Sequence, residues 1–488
     1  MKKLLPVSLL VFIVAAFIVY AVAAEAAEQA ADQPAAQASP FTVKETSLGK
    51  LDKGRSRAVG AVSPDSRHFA YVALVDEKMR VIGDGIPGKQ YDVIEEDSLL
   101  YSPDSRHLAY TAKIGDKWTV VVDGKEGGKQ YAKIMSLVFS PDSARVAYIG
   151  KTGKKGFVVV VDGTEGKPYE GISDLTFSPD SKRVAYKASL NAITDGAYDA
   201  KWFVVLDGVE QSKWLALPGP VLFSPDSARV AFVGRAVAAN FGFCAILDDV
   251  AGKLYGAVTD LAFSPDSKRF AYAAELPQDP GQVATLWVMV VDGKEGQAMH
   301  AVFGAIFSPD SNRVAYVTSW GASSSVVVDD DGGGSMGDVV RSSLTFSPDS
   351  KHFAYVARVM GKSVIAADKQ KSKEYDDTQE TLVYSLDSAH LAYAAKVGDK
   401  WTIVVDGAAT EQCDEVNAKL LAYGPDSKHL AFEAASEGKR FTVVDGKKAV
   451  EHDGAVRGSR IVFDSPTKLH TLVQRNDEVL VVDIEINQ

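Results

Sequence analysis

The sequence predicts an all-β fold, a β-propeller of about eleven four-stranded blades, and three observations predict it. A Ser-Pro-Asp-Ser tetrad recurs down the chain, a run rich in β-branched residues follows the copies, and most runs end in an Asp-Gly turn signal. The prolines of the tetrad stand at Pro64, Pro103, Pro141, Pro179, Pro225, Pro265, Pro309 and Pro348. A ninth copy carries Leu386 in their place, a tenth has Pro425 after glycine, and a worn eleventh reads Val462-Phe463-Asp464-Ser465-Pro466. Successive spacings of 38 to 46 residues match one propeller blade, and the segments lack helical periodicity.

One unit shows how each element is read. Leu137 to Ser140 is an apolar run entering the turn, where proline presets φ and Asp and Ser bond nearby amides. Arg145 to Ile149 leaves the turn as the second strand. Phe157 to Val161 is the third, and Asp162-Gly163 closes it as a hairpin turn. A shorter strand around Pro168 to Ile172 is expected to complete the sheet. Such sheets bury both faces only by stacking on one another, and closing the stack protects the edges.

The Phe-Ser-Pro-Asp-Ser turn followed by Arg-Val-Ala-Tyr and Val-Val-Val-Asp-Gly resembles the propeller repeat of TolB-like and WD-type proteins, from about Phe41 to the end. The resemblance implies a bacterial envelope protein in which the Ser-Pro-Asp turn joins the innermost strand to the second. Nothing here resembles the α/β domain that precedes the propeller in TolB itself.

Eleven blades exceed the usual number in one ring, so two rings are expected. Tyr101–Gly124 matches Tyr384–Gly407, and His68 matches His352, each pair seven units apart. That places a first propeller at residues 41–340 and a second at 341–488. The last unit stops one strand short, and residues Phe41 to Leu48 form a spare strand able to complete it.

At the N-terminus, Lys2 and Lys3 precede an apolar run from Leu4 to Ala24, with small residues at its exit. Residues 1–24 read as a signal peptide or a membrane anchor, and 25–40 as a flexible linker. The expected location is therefore exported, periplasmic or held at the outer side of the inner membrane. A net charge of −11 argues against nucleic acid as a partner. The two cysteines, Cys244 and Cys413, are too few for a disulfide scaffold and read as small hydrophobes.

Several constellations are weighed and set aside. Gly333 to Gly337 fits a nucleophile-elbow pattern but sits at a hairpin turn without an α/β domain. His68, His107, His352, His390 and His429 share a repeat position with Arg145, Arg183, Arg229, Arg269 and Arg313. A position that accepts either cation is a surface site, not a metal ligand. Asp329 to Asp331 offers oxygens for calcium but no closing glutamate. Trp118, Trp202, Trp287 and Trp401 recur at the start of the third strand and read as core. No catalytic residue, metal ligand or cofactor is expected.

Loop length is the most individual feature. Ser189 to Ala200, Arg235 to Gly242 and Glu275 to Ala284 lie between second and third strands of consecutive units and project from one face. Asp195, Tyr198, Asp199, Asn240, Phe241, Gln278 and Asp279 are the expected contact residues. The function expected is non-enzymatic: a rigid face for a protein, peptide or glycan of the cell envelope. The alternatives are a propeller lyase or hydrolase, and a structural spacer. The enzyme would need unmatched His, Asp, Glu or Arg on the innermost strands, which read Leu-Val-Phe, Leu-Thr-Phe, Val-Leu-Phe and Leu-Ala-Phe.

Overall fold

The computed structural model describes residues 39–51, 60–153, 156–194, 197–236, 242–277, 284–321, 323–329, 331–332 and 337–487, without the side chains of 191–200. Residues 43–484 form one compact unit, and the chain ends, 1–42 with 485–488, form another. In the latter, the Asn487 amide donates to the Pro40 carbonyl oxygen, 2.8 Å away.

Among the described residues the strands form eleven sheets, all antiparallel, with two single-turn 3₁₀ segments. Blade 3 shows the pattern: Lys133–Phe139 innermost, then Val146–Lys151, Phe157–Val161 and Thr164–Glu165. The tetrad turn joins the innermost strand to the second, as the resemblance implied. Asp162 (φ +49°) and Gly163 (φ +77°) turn the chain straight back, so that Thr164 pairs with Val161 at once. The fourth strand is thus earlier than expected. Pro168 has no N–H to donate, and only Tyr169 bridges back to Phe157. Gly171–Phe177 already belongs to blade 4.

Each sheet buries its faces on its neighbours. Ile149 and Val159 of blade 3 share a core with Ile172, Tyr186 and Phe203 of blade 4, and the same layering recurs along the chain. Leu51, Phe69 and Tyr71 pack with Val456, Leu472 and Val479, joining the first sheet to the last. Strand Phe41–Lys50 lies beside Glu478–Ile486 and completes the eleventh blade, the closure expected from the spare strand.

The expected break near residue 340 finds no counterpart among the described residues. Val317 and Val326 of blade 7 share a core with Val339, Tyr355 and Val364 of blade 8. The stacking therefore runs on through the proposed boundary, and the last sheet packs on the first.

A run of hydrogen bonds follows the tetrads from blade 1 to blade 10. The Asp amide of one blade donates to the second Ser hydroxyl of the next, as in Asp142 to Ser181 (2.9 Å) and Asp310 to Ser350 (2.9 Å). Between the last blade and the first, the Arg460 amide donates to Ser66 Oγ at 2.8 Å.

Candidate functional site

The cation that alternates between Arg and His is paired in every instance described. Each partner is the Asp of the Asp-Gly turn or its counterpart: Arg145 holds Asp162 (2.9 Å), Arg313 holds Asp329 (2.8 Å), and His107 holds Asp123 (2.7 Å). The Asp also accepts a backbone amide, as Asp162 Oδ1 does from Val146 N–H (3.1 Å). The structural reading of this position follows from that geometry.

The two cations differ in reach. Arg145 Nη1 extends to the Ser181 carbonyl oxygen of the next blade (3.0 Å), with its guanidinium over Phe177. Arg183, Arg269 and Arg313 donate to the next blade likewise. An imidazole is too short for this. Four arginine junctions are therefore stapled, Arg229 reaches the next blade only through Phe263, and the five histidine positions show no such staple among the described residues.

Both large clefts described on the channel wall open at histidine junctions. The first, about 360 Å³ between blades 2 and 3, is lined by Glu95, Asp97, Ser98, Lys133 and Ser136 among others. The second, about 720 Å³, lies between the innermost strands of blades 8 and 9 and reaches Lys419 of blade 10. Each abuts a 3₁₀ turn, Glu96–Ser98 or Arg341–Ser343, that interrupts an innermost strand. A serine stabilises each turn: Ser343 Oγ donates to the Val340 carbonyl (2.6 Å) and accepts the Val356 amide (2.8 Å).

These strands correct the sequence reading. Innermost strands do carry charged groups, because they begin well before the apolar triplets. Bulges at Ser136 (φ +52°), Asp174 (φ +54°) and Asp260 (φ +55°) break the two-residue alternation that would have revealed them.

Most of the charged groups on this wall serve the fold. At the position of Ile149 in the second strand, blade 4 has Lys187, whose side chain is 4% exposed. It pairs with Asp174 (2.8 Å) and donates to the Gly219 carbonyl of blade 5. Blade 10 has Glu433 there, accepting from Asn417 (3.0 Å) and from the Ala455 amide of blade 11 (3.2 Å). Gln379 accepts the Ala418 amide (3.0 Å), and Asp260 the Gly304 amide (3.3 Å). Each of these satisfies a backbone group on the next blade.

The cleft between blades 8 and 9 contains groups left over from that bookkeeping. Thr378 is 4% exposed, lines the cleft, and its Oγ1 has no hydrogen-bond partner. Arg358 and Lys419 line it as exposed cations outside every described ion pair. Ser342, whose hydroxyl donates to Glu380, and Thr381 and Asp377 complete a wall of hydroxyls and charges drawn from three blades.

Asp464, His470 and Asp483 bring three metal-type ligand atoms within 4.8 Å of one another, but Arg67 occupies the cluster. Its guanidinium sits 2.9 Å from Asp464, 3.0 Å from Asp483 and 2.9 Å from His470 Nδ1. This is a cross-blade latch, not a cation site. At the weighed calcium loop, Asp329 is held by Arg313 and Asp331 by Lys369 (2.7 Å); Asp330 lies outside the described residues. Burial pushes the Cys413 thiol up to about 11 and raises that of Cys244, so both behave as small apolar groups. Trp118, Trp202, Trp287 and Trp401 pack against the inter-blade cores.

Of the expected contact residues, Asp195, Asn240, Phe241, Gln278 and Asp279 lie outside the described residues, as do residues 1–38 and 333–336. Tyr198 and Asp199 are described in backbone only: the segment expected as a loop continues the ladder, with Tyr198 opposite Ile193 and Asp199 opposite Ala192.

The fold and its turns define an eleven-bladed β-propeller. No protein-family model matches the chain, and no curated protein matches it. Similar solved structures include one titled as the eukaryotic initiation factor, 14% identical, covering 72% of this chain and 95% of that one at a TM-score of 0.41. TolB from Acinetobacter baumannii is 14% identical, covering 55% and 75% at 0.24. The β-propeller domain of the Trilobed protease from Pyrococcus furiosus is 14% identical, covering 57% and 98% at 0.28.

Proposed function

We propose that this propeller is a non-enzymatic binding scaffold of the cell envelope, with a ligand seat in the cleft between blades 8 and 9. The observation that carries the reading is the buried, unpartnered hydroxyl of Thr378 in a cleft that also presents Arg358 and Lys419 without partners. A buried hydroxyl without a partner, beside two cations outside every described ion pair, leaves hydrogen-bonding capacity for a group outside the fold. Hydroxyls, cations and carboxylates contributed by separate blades suit recognition of a polar segment of a protein, peptide or glycan. Export rests on the charged, apolar and small-residue order at the N-terminus.

The test replaces Thr381, on the cleft wall, with a photo-crosslinking residue in the full-length protein expressed in its own cell. A discrete adduct is expected, and it should disappear when Lys419→Glu and Arg358→Glu are added. An adduct that persists in the charge-reversed protein would remove the cleft from the function.

A further inference from the structure

Blade 7 carries an aromatic group with no part in the fold. Its second strand, Val314–Trp320, ends in Trp320, which is 58% exposed, whereas the tryptophans of the repeat position pack against cores. His300, from the segment entering blade 7, stacks on it with ring centroids 4.1 Å apart and planes 14° from parallel.

The pair is fixed from both sides. The Gly321 amide donates to His300 Nδ1 (3.0 Å), and the His300 amide donates to the Ser319 carbonyl (3.1 Å). One face of the indole is thus covered and its plane is set before anything binds, which spares a ligand the ordering cost.

Among the described residues, the hairpin beside Trp320 is hydroxylated: Ser323 stands opposite it and Ser325 follows on the same sheet face, while Ser319 and Ser324 pair on the other face. Exposed apolar residues also occur at the hairpins of blades 8 and 9, Met360 and Val397, but Trp320 is turned from them. Tyr316 packs in the core between blades 6 and 7, and the two-residue period puts Trp320 on that same sheet face. A protein interface needs a contiguous apolar centre. A single rigid indole with Ser323 and Ser325 along one side instead matches a pyranose ring, whose C–H face stacks while its rim hydroxyls take hydrogen bonds.

We infer that Trp320 and His300 form a carbohydrate-stacking subsite on the face of blade 7 that carries the second-to-third-strand hairpin. It is separate from the cleft between blades 8 and 9 and takes one sugar ring of a neutral polysaccharide.

Native gels cast with laminarin, dextran, hydroxyethyl-cellulose or glycol chitin test this on the full-length protein. At least one polymer should retard the wild type. Trp320→Ala should weaken that retardation about tenfold or more, the scale of one lost aromatic contact. Trp320→Phe should retain part of it, and His300→Ala, which keeps the indole but frees it, should fall between. Thermal melts of the variants confirm folding, since both rings lie outside the cores. Wild-type mobility unaltered by all four polymers, or equal retardation of Trp320→Ala and wild type, would overturn the inference. The crosslink at Thr381 should persist in Trp320→Ala, so failure here and failure of the cleft are read separately.

Discussion

Arg145 Nη1 lies 3.0 Å from the carbonyl oxygen of Ser181, one blade further on, while its Nε holds Asp162 within its own blade. One side chain therefore joins a turn to its neighbour, which a histidine at the same repeat position does not do. Arg145→His should keep the Asp162 contact and lose the cross-blade bond. A loss of about 1–2 kcal/mol is expected from a charge-assisted hydrogen bond to a carbonyl. The reverse change, His107→Arg, should recover stability at the junction of blades 2 and 3. Denaturant midpoints of the two variants measure this, and a neutral Arg145→His would remove the staple.

The tetrad carboxylates tie stability to acid. Ser308 and Asn312 donate to Asp310 and hold it down at about 2, and Ser hydroxyls lower Asp142, Asp180, Asp226 and Asp266 in the same way. A depressed carboxylate stabilises the fold above its unfolded value and ceases to do so as pH falls through its folded value. The melting temperature should therefore drop steeply between about pH 4 and pH 2. His390 works in the opposite sense: Asp406 raises it, so its contribution is complete below the ordinary histidine value and fades as pH rises past the raised one. His390→Gln should flatten the part of the pH–melting curve above pH 6.5, the ordinary histidine value.

Lys187→Met keeps the aliphatic stem but strips the cation from Asp174 and the donor from the Gly219 carbonyl. Losing a charge-assisted hydrogen bond whose carboxylate partner is half-exposed should cost about 1–2 kcal/mol. Adding Asp174→Asn should recover part of that, because the uncompensated carboxylate is removed. Urea unfolding of the single and double variants gives the coupling directly, and additive losses would contradict the pairing.

Arg67→Ala removes the shared cation from Asp464 and Asp483 at the meeting of the first and last blades. Limited proteolysis should then cut first near that junction, within blade 11 or the strand Phe41–Lys50. Cleavage beginning at the junction of blades 3 and 4 instead would mean that the latch is dispensable.

Thr378→Val exchanges a hydroxyl without a partner for a methyl of similar size. Stability should hold or rise by up to about 1 kcal/mol, since nothing in the fold loses a bond. The cleft crosslink should weaken. A marked destabilisation would show that the hydroxyl is used by the fold after all.

How much of this could be read from the chain follows from the distances in sequence over which each feature is built. The tetrad, the Asp-Gly turn and the Val-rich third strand are local, so residues such as Pro141, Asp162 and Phe157 to Val161 announced their own conformations. A position tolerant of either cation reads as a surface site, and its pairing with an Asp some sixteen residues on, as for Arg145 or His107, is visible only in the structure. The bulged innermost strands were hidden because a left-handed residue such as Asp174 breaks the alternation by which strands are recognised. Lys187 carries only a faint signal, a lone lysine where other repeats have Ile149 or Val317.

What the sequence by itself determined is the blade: its four strands, its turns, and the need of each sheet to be covered by another. The tertiary structure decided how the stack closes, that Phe41–Lys50 completes the last sheet, and that Thr378, Arg358 and Lys419 share a cleft. The reason is that a blade is specified within about forty residues by repeating local preferences. Closure and the cleft depend on contacts between blades, which no single repeat encodes.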